Sequence, residues 1–360
     1  MPPIEVSMNA KGRILTGDRP TGKLHLGHYV GTLANRVRLQ DDYELFLLVA
    51  DLHGLTRDAS HDQVVKLRAH TRELVLDYLA VGIDPAKATI YVQSQVPEVA
   101  ELTLLFSMLV TVPRLERVPT LKDVMRDEHI EQPSLGLLGY PVLQAADILM
   151  VKADLVPVGK DQESHVEVTR EIARRFNTLY DPVFPEPQAL IGDVPTLPGT
   201  DGSVKMGKSL GNAIYLADEP RVVEAKVMGM YTDPMRIHST DPGHVEGNPV
   251  FVYHDAFNPD KDQVAELKAR YAAGKVGDIE VKRELSHAVN AFLEPIRARR
   301  EAYAGRPQLL DDILAAGAGR ARLIAQATLD EVHAAMGFSV RQLSRGNGAP
   351  HTIQPAAAFC

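Results

Sequence analysis

The chain has 360 residues, of which 45% are hydrophobic and 24% charged, with a formal net charge of −8. This is the composition of a globular protein. It excludes a globally basic nucleic-acid-binding chain, so DNA is not expected as a partner and any RNA contact must use local basic patches. No run of about eighteen uncharged apolar residues occurs, so no membrane partner is expected, and Met1 to Gly12 lacks a basic-then-apolar secretion pattern. Cys360 is the single cysteine, which rules out an intramolecular disulfide and suits a cytoplasmic location. Tryptophan is absent from the chain.

Ile14 to Thr16 is a short apolar run that stops at Gly17, and a helix is predicted from about Gly27 to Leu39. Glu44 to Ala50 reads as a strand buried on both faces, because Leu45 to Val49 is uninterrupted apolar sequence. Asp62 to Val81 has helical spacing and ends at Gly82, a residue suited to a helix C-terminus. Thr89 to Gln93 and Leu155 to Gly159 are further strand candidates, the second followed by an amphipathic helix from Asp161 to Phe176. Strands alternating with helices predict an α/β fold with a parallel, doubly wound sheet, whose ligands bind beyond the carboxyl ends of the strands. From Asp218 the sequence turns to helix after helix: Asp218 to Met228, Asp262 to Ala273, Asp278 to Arg300 and Gly319 to Met336. This reads as a C-terminal all-helical domain, followed by a frayed tail from Ser339 to Cys360.

Four segments carry chemistry. Thr16-Gly17-Asp18-Arg19-Pro20-Thr21-Gly22-Lys23-Leu24-His25-Leu26-Gly27-His28 follows the first strand and opens a helix. Glycines let backbone amides approach a ligand, a helix N-terminus attracts phosphate, and imidazoles three residues apart share one face. A tight turn with surface histidines is the plainer reading. Lys205-Met206-Gly207-Lys208-Ser209 lies in a Gly/Pro-rich loop, where two ammonium groups can follow charge developing on a leaving group or merely be solvated. Tyr140-Pro141-Val142-Leu143-Gln144-Ala145-Ala146-Asp147 sets one carboxylate in an apolar stretch. A buried carboxylate needs a donor, which an indole N–H, an arginine or a helix N-terminus can supply. Val156-Pro157-Val158-Gly159-Lys160-Asp161-Gln162 ends a strand, and Asp161 is a good N-cap for the next helix.

His25-Leu26-Gly27-His28 resembles the HIGH motif of class I aminoacyl-tRNA synthetases, and the residues before it are similar to the tryptophanyl subgroup of that family. Lys205 to Ser209 resembles the family's KMSKS loop, with Gly207 where serine is usual; glycine there adds freedom that closure must remove. Tyr140 to Asp147 and Val156 to Gln162 are similar to the same subgroup's segments, with Lys160 where glutamate is common. The resemblance covers roughly residues 13 to 336.

That resemblance implies a Rossmann-like catalytic domain over 13–217, preceded by an extension over 1–12, and a helical tRNA-binding domain over 218–338, followed by a tail over 339–360. It implies activation of tryptophan by ATP with Mg²⁺, no dedicated protein metal site, transfer to tRNA(Trp), and a homodimer. His25, His28, Lys205 and Lys208 are the implied catalytic residues. Arg19, Pro20, Thr21, Gly27, Gly159, Lys160, Asp161, Val194, Met206, Gly207 and Ser209 are the further implied ATP contacts, and Tyr140, Gln144, Asp147 and Gln162 the tryptophan contacts. Exclusion of phenylalanine by ~10⁴ or more is expected if no protein donor already pairs with Asp147. Arg297, Arg299, Arg300 and Arg306 form a basic cluster that suits either RNA phosphates or a solvated helix face. A tyrosyl enzyme, a paralogue that does not charge tRNA, and a regulatory protein on the same scaffold are the competing readings.

Overall fold

The computed structural model describes residues 11–159, 163–191, 196–236, 238 and 240–338. Five parallel strands form one sheet: β1 (Arg13–Asp18), β2 (Glu44–Val49), β3 (Ala88–Val92), β4 (Leu155–Val158) and β5 (Gln188–Ile191). Their order is β3-β2-β1-β4-β5. The doubly wound parallel sheet expected from the sequence is therefore present, and the strand order reverses between β1 and β4. Ile14 pairs with Leu45 on one side and Leu155 on the other. Leu45, Phe46, Leu47 and Val49 are fully buried, as the apolar run of β2 demands.

The helix after β1 begins at Leu26, passes through a π turn over Tyr29–Leu33, and continues as Ala34–Asp42. Such turns recur at functional sites, where they shift a helix face by part of a turn. The helix His61–Val81 starts at Ser60, whose side chain accepts the Gln63 N–H, and ends at Gly82 with φ 109°.

Between β3 and β4 the chain makes helices Glu98–Ser107, Val112–Glu116, Pro119–Asp127 and Leu135–Met150, which sequence periodicity did not separate. The long helix among them continues past Pro141. Strand β5 was also unforeseen, because Pro182, Pro185 and Pro187 just before it read as loop.

The expected helices after Asp218 are present as Pro220–Met228, Lys261–Ala272, Asp278–Ala304 and Pro307–Met336, joined by Pro249–Phe257. They are not set apart from the sheet. Val223, Phe251 and Leu285 share one continuous core with Leu45, Leu47 and Leu74. The last helix begins at Pro307, twelve residues before the expected Gly319 start, and it returns to cover β3. Gly317 is the reason it can. A Cβ there would lie 1.8 Å from the Ile90 carbonyl oxygen, and Ala318, Ala321 and Ala325 are buried nearby. The extension over 1–10 and the tail over 339–360 with Cys360 lie outside the described residues.

Gly317→Val should lower stability by about 1–3 kcal/mol or more, because backbone rather than a pliable side chain opposes the new methyl groups. Thermal unfolding checks this. An unchanged Tm would mean that the last helix does not press on β3.

Candidate active site

The first signature segment leaves the carboxyl end of β1 and turns at Gly22, whose φ of 98° disfavours any side chain. His25 is extended and precedes the first helical residue. Its backbone N–H donates to His28 Nδ1 at 3.2 Å, and the ring centroids stand 3.8 Å apart. An accepting Nδ1 puts the His28 proton on Nε2, leaving that N–H free to point at a ligand. His25 Nδ1 is buried with no hydrogen-bond partner among the described residues.

The lysine loop meets this turn. Leu26 N–H donates to the Ile214 carbonyl at 2.9 Å and Leu216 N–H to the Leu24 carbonyl at 3.0 Å, so residues just after the loop pair antiparallel with the histidine segment. Lys208 Nζ donates to Thr21 Oγ1 and the Gly22 carbonyl, each at 3.1 Å. Met206 is 2% exposed, and a Cβ on Gly27 would stand 3.5 Å from its Cβ. Lys205 and Ser209 are exposed. Gly207 is extended (φ −148°, ψ 140°), a conformation any residue adopts, and its Cβ position meets only Leu210 at ordinary contact distance. The usual serine would fit there.

Asn212 organises the loop, a role the sequence did not suggest. It is 3% exposed, accepts the Gly207 N–H at 2.8 Å, and donates to Asp201 Oδ1 at 3.0 Å and Ser203 Oγ at 2.7 Å. The helical half holds the approach to the loop, with Tyr253 O–H donating to the Pro198 carbonyl and Tyr231 N–H to the Thr200 carbonyl.

A cavity of about 430 Å³ opens at the carboxyl ends of β1 and β4, where a doubly wound sheet binds its ligands. Arg19, Tyr140, Gln144, Asp147 and Gly159 line it. His25, His28, Lys205 and Lys208 do not; they stand next to it, with the cavity residue Asp18 in electrostatic reach of His28 and Lys208. Pro20 is buried at the start of the turn. Lys160, Asp161, Gln162 and Val194 lie outside the described residues.

Asp147 is 1% exposed and already has protein donors, which corrects the premise of an acid left unpaired for an indole. Gln93 Nε2 donates to both carboxylate oxygens at 2.9 and 2.8 Å, and His53 Nε2 lies 2.9 Å from Oδ2. Gln93 cannot turn away, since its Oε1 accepts the His53 backbone N–H. Neither an arginine nor a helix N-terminus is involved. A carboxylate has about four acceptor sites, so room for one more donor remains, but phenylalanine cannot be excluded simply by an orphaned acid. Burial pushes the Asp147 carboxyl up, and the His53 and Gln93 donors offset part of that rise.

Sequence reading missed His53 and Gln93. Their one signal was position, each just past the end of a strand. Thr120 and His165 were missed too; both hydrogen-bond the Tyr140 hydroxyl, at 3.0 and 2.9 Å. At the end of β1 burial lifts the Asp18 carboxyl, but Arg36 and the Tyr78 hydroxyl (2.6 Å) outweigh it and hold Asp18 below its usual range.

The arginine cluster resolves differently from either sequence reading. Arg299 Nε donates to the Ala80 carbonyl at 2.6 Å, Arg300 Nε to Asp77 at 2.8 Å, and Arg297 to the Asp218 carbonyl at 3.3 Å. Arg299 and Arg300 tie the helical half to the helix His61–Val81, Arg297 bonds within the helical half, and Arg306 is exposed.

Burial depresses both histidines, His25 to about 3 and His28 to about 4. The His28 ring, Lys208 and Lys205 add to the effect at His25, whereas Asp18 opposes it at His28. Both rings are therefore neutral at pH 7. Unfolded histidine titrates near 6.5, so stability should be flat above that pH and fall as pH drops towards 4, at up to about 1.4 kcal/mol per pH unit for each histidine. Denaturant unfolding of the His25→Asn/His28→Asn variant should lose that slope, and an unaltered slope would contradict it. Asn212→Ala should speed tryptic cleavage after Lys205 and Lys208 by about tenfold through loss of the loop's internal bonds. Unchanged cleavage would remove Asn212 from that role.

Residues 7–294 match the model of the family described as tRNA synthetases class I (W and Y). The chain is 58% identical over 331 residues to a tryptophan–tRNA ligase of Treponema pallidum, covering 92% of this chain and 98% of that one. It is 51% identical to the tryptophan–tRNA ligase of Chlamydia caviae, covering 94% and 99% of the two chains. The crystal structure of tryptophanyl-tRNA synthetase from Campylobacter jejuni, complexed with ADP and tryptophan, superposes with a TM-score of 0.82 at 34% identity, covering 90% of this chain and 99% of that one. By the family model and by identity across nearly its whole length, the chain belongs to the class I tRNA synthetases of the tryptophan and tyrosine group.

Proposed function

We propose that the chain is a cytoplasmic tryptophan–tRNA ligase, joining L-tryptophan and ATP into tryptophanyl-adenylate and passing the aminoacyl group to the 3′ end of tRNA(Trp). The observation that carries this reading is the approach of Lys208 to the Thr21–Gly22 turn beside two neutral imidazoles, next to a cavity with a buried acid. The names of the relatives from T. pallidum and C. caviae support it, as do the ADP and tryptophan of the C. jejuni structure.

In this mechanism the tryptophan carboxylate attacks the α-phosphorus of ATP and pyrophosphate leaves in line. His25 and His28 donate to phosphate oxygens, while Lys205 and Lys208 neutralise the charge gathering on the leaving pyrophosphate. Arg19, Pro20, Thr21, Gly27, Met206, Gly207 and Ser209 surround the nucleotide, with Gly159, Lys160 and Asp161 at its ribose and Val194 as a further contact. Tyr140, Gln144 and Gln162 meet the amino-acid end of the substrate, and Asp147 accepts the indole N–H. No covalent intermediate on the protein is needed, because positioning and electrostatic stabilisation suffice. Among the described residues no three metal-ligating side chains converge. Mg²⁺ would come with the nucleotide and would neutralise charge on its phosphates.

Homodimer formation fits the exposed apolar side chains between β3 and β4. Leu104, Met108 and Leu135 are 58%, 68% and 84% exposed, and the first two stand four residues apart on one helical face. The helical region over 218–338 is the proposed tRNA-binding unit.

ATP–pyrophosphate exchange with tryptophan and with tyrosine, followed by charging of tRNA(Trp), tests the reading. Exchange should require tryptophan; exchange with tyrosine alone, or no charging, would overturn it. Asp147→Ala should lower kcat/KM for tryptophan by on the order of 10²-fold while the KM for ATP stays nearly constant. Equal losses for both substrates would make Asp147 structural. Since the protein has no tryptophan, indole emission that stays with the protein after free tryptophan is removed reports bound substrate.

A further inference from the structure

Beside the pairing of Leu24–Leu26 with Ile214–Leu216, one backbone N–H on each segment donates to a carboxylate. Leu24 N–H, immediately before His25, donates to Asp77 Oδ2 at 2.7 Å. Tyr215 N–H, in the residue that bridges to His25, donates to Asp218 Oδ2 at 2.8 Å. Both acids lead to one element. Arg300 Nε donates to the second oxygen of Asp77 at 2.8 Å, and Arg297 donates to the Asp218 backbone carbonyl at 3.3 Å. Arg297 and Arg300 lie three apart on the helix Asp278–Ala304, hence on one face. Lys226 donates to the same Asp218 oxygen, Oδ2, at 2.6 Å.

Asp77 is fully buried. A buried ion pair contributes little net stability compared with an apolar pair of the same volume, so geometry is the better account of its presence. We propose that Asp77 and Asp218 are positioning residues, through which the helix Asp278–Ala304 fixes the histidine turn and the lysine loop in register for the adenylation step. Contacts to the helical half thereby reach the reacting phosphates through two backbone N–H groups.

The double variant Asp77→Asn/Arg300→Met tests this. Asparagine keeps an oxygen for the Leu24 N–H, and removing both charges strands neither of them in the interior, while Glu73, which Arg300 also holds, keeps a third of its side chain in solvent. The expected result in ATP–pyrophosphate exchange is a kcat lower by on the order of 10- to 100-fold, with tryptophan affinity, read from the anisotropy of indole emission, within about twofold of wild type. Arg300→Lys, which keeps the charge but loses the fork, should fall between the two. A packing role alone would lower Tm and spare kcat at permissive temperature. A double variant with wild-type kcat, or with kcat and tryptophan affinity lost in parallel, would overturn the proposal. If the double variant does not fold, Arg300→Lys carries the same test, and wild-type kcat in that variant overturns it equally. The proposal rests on adenylate formation by the wild-type protein. Absence of exchange in wild type defeats that reading, whereas active wild type with equally active variants defeats only the positioning role.

Discussion

Two backbone hydrogen bonds, Leu26 N–H to Ile214 and Leu216 N–H to Leu24, hold together segments that lie nearly two hundred residues apart in the chain. His25, His28 and Lys208, beside the cavity, are arranged around that short antiparallel bridge. On one side it fixes the start of the helix that carries His28, and on the other it anchors the end of the lysine loop. Because backbone groups make the bridge, it constrains position without dictating side chains, and the loop between Gly199 and Gly211 is free to take its shape from Asn212.

The electrostatic arrangement follows from that closeness. Two imidazoles, two lysines and Arg36 would repel one another if all were charged. Burial resolves the conflict by keeping both rings neutral, and Asp18, held ionised by Arg36 and Tyr78, supplies the nearest compensating charge. The result is a local cluster of donors on a molecule whose net charge is −8, which reconciles an acidic chain with a polyanionic substrate.

Much of this was legible in the sequence because it is local. Strands β1 to β4 announce themselves as apolar runs, and the two histidines and two lysines sit in contiguous segments whose chemistry reads off residue by residue. The rest depends on partners far away in the chain. Nothing around Gln93 or His53 says that both will face Asp147, and nothing near Asn212 says that its amide will close a loop. The arginines at 297, 299 and 300 show the limit most sharply. A guanidinium on a helix suits phosphate, water, a carbonyl or a carboxylate equally, and only the docking of the helix Asp278–Ala304 against His61–Val81 gives Arg299 the Ala80 carbonyl and Arg300 the Asp77 carboxylate. Gly317 lies ahead of the expected Gly319 start, and its place inside the helix makes sense only with the carbonyl of Ile90 beneath it.

The covering of β3 by the helix Pro307–Met336 has a consequence for biosynthesis. A parallel edge is open to pairing with other chains until something shields it. Here the shield is the final helix, so ribosomes must add everything between Val92 and Gly317 before the strand is protected. At ordinary elongation rates that interval is roughly 10 to 45 s. During it the nascent chain depends on chaperones, or on the apolar helices already made, to keep that edge from intermolecular association.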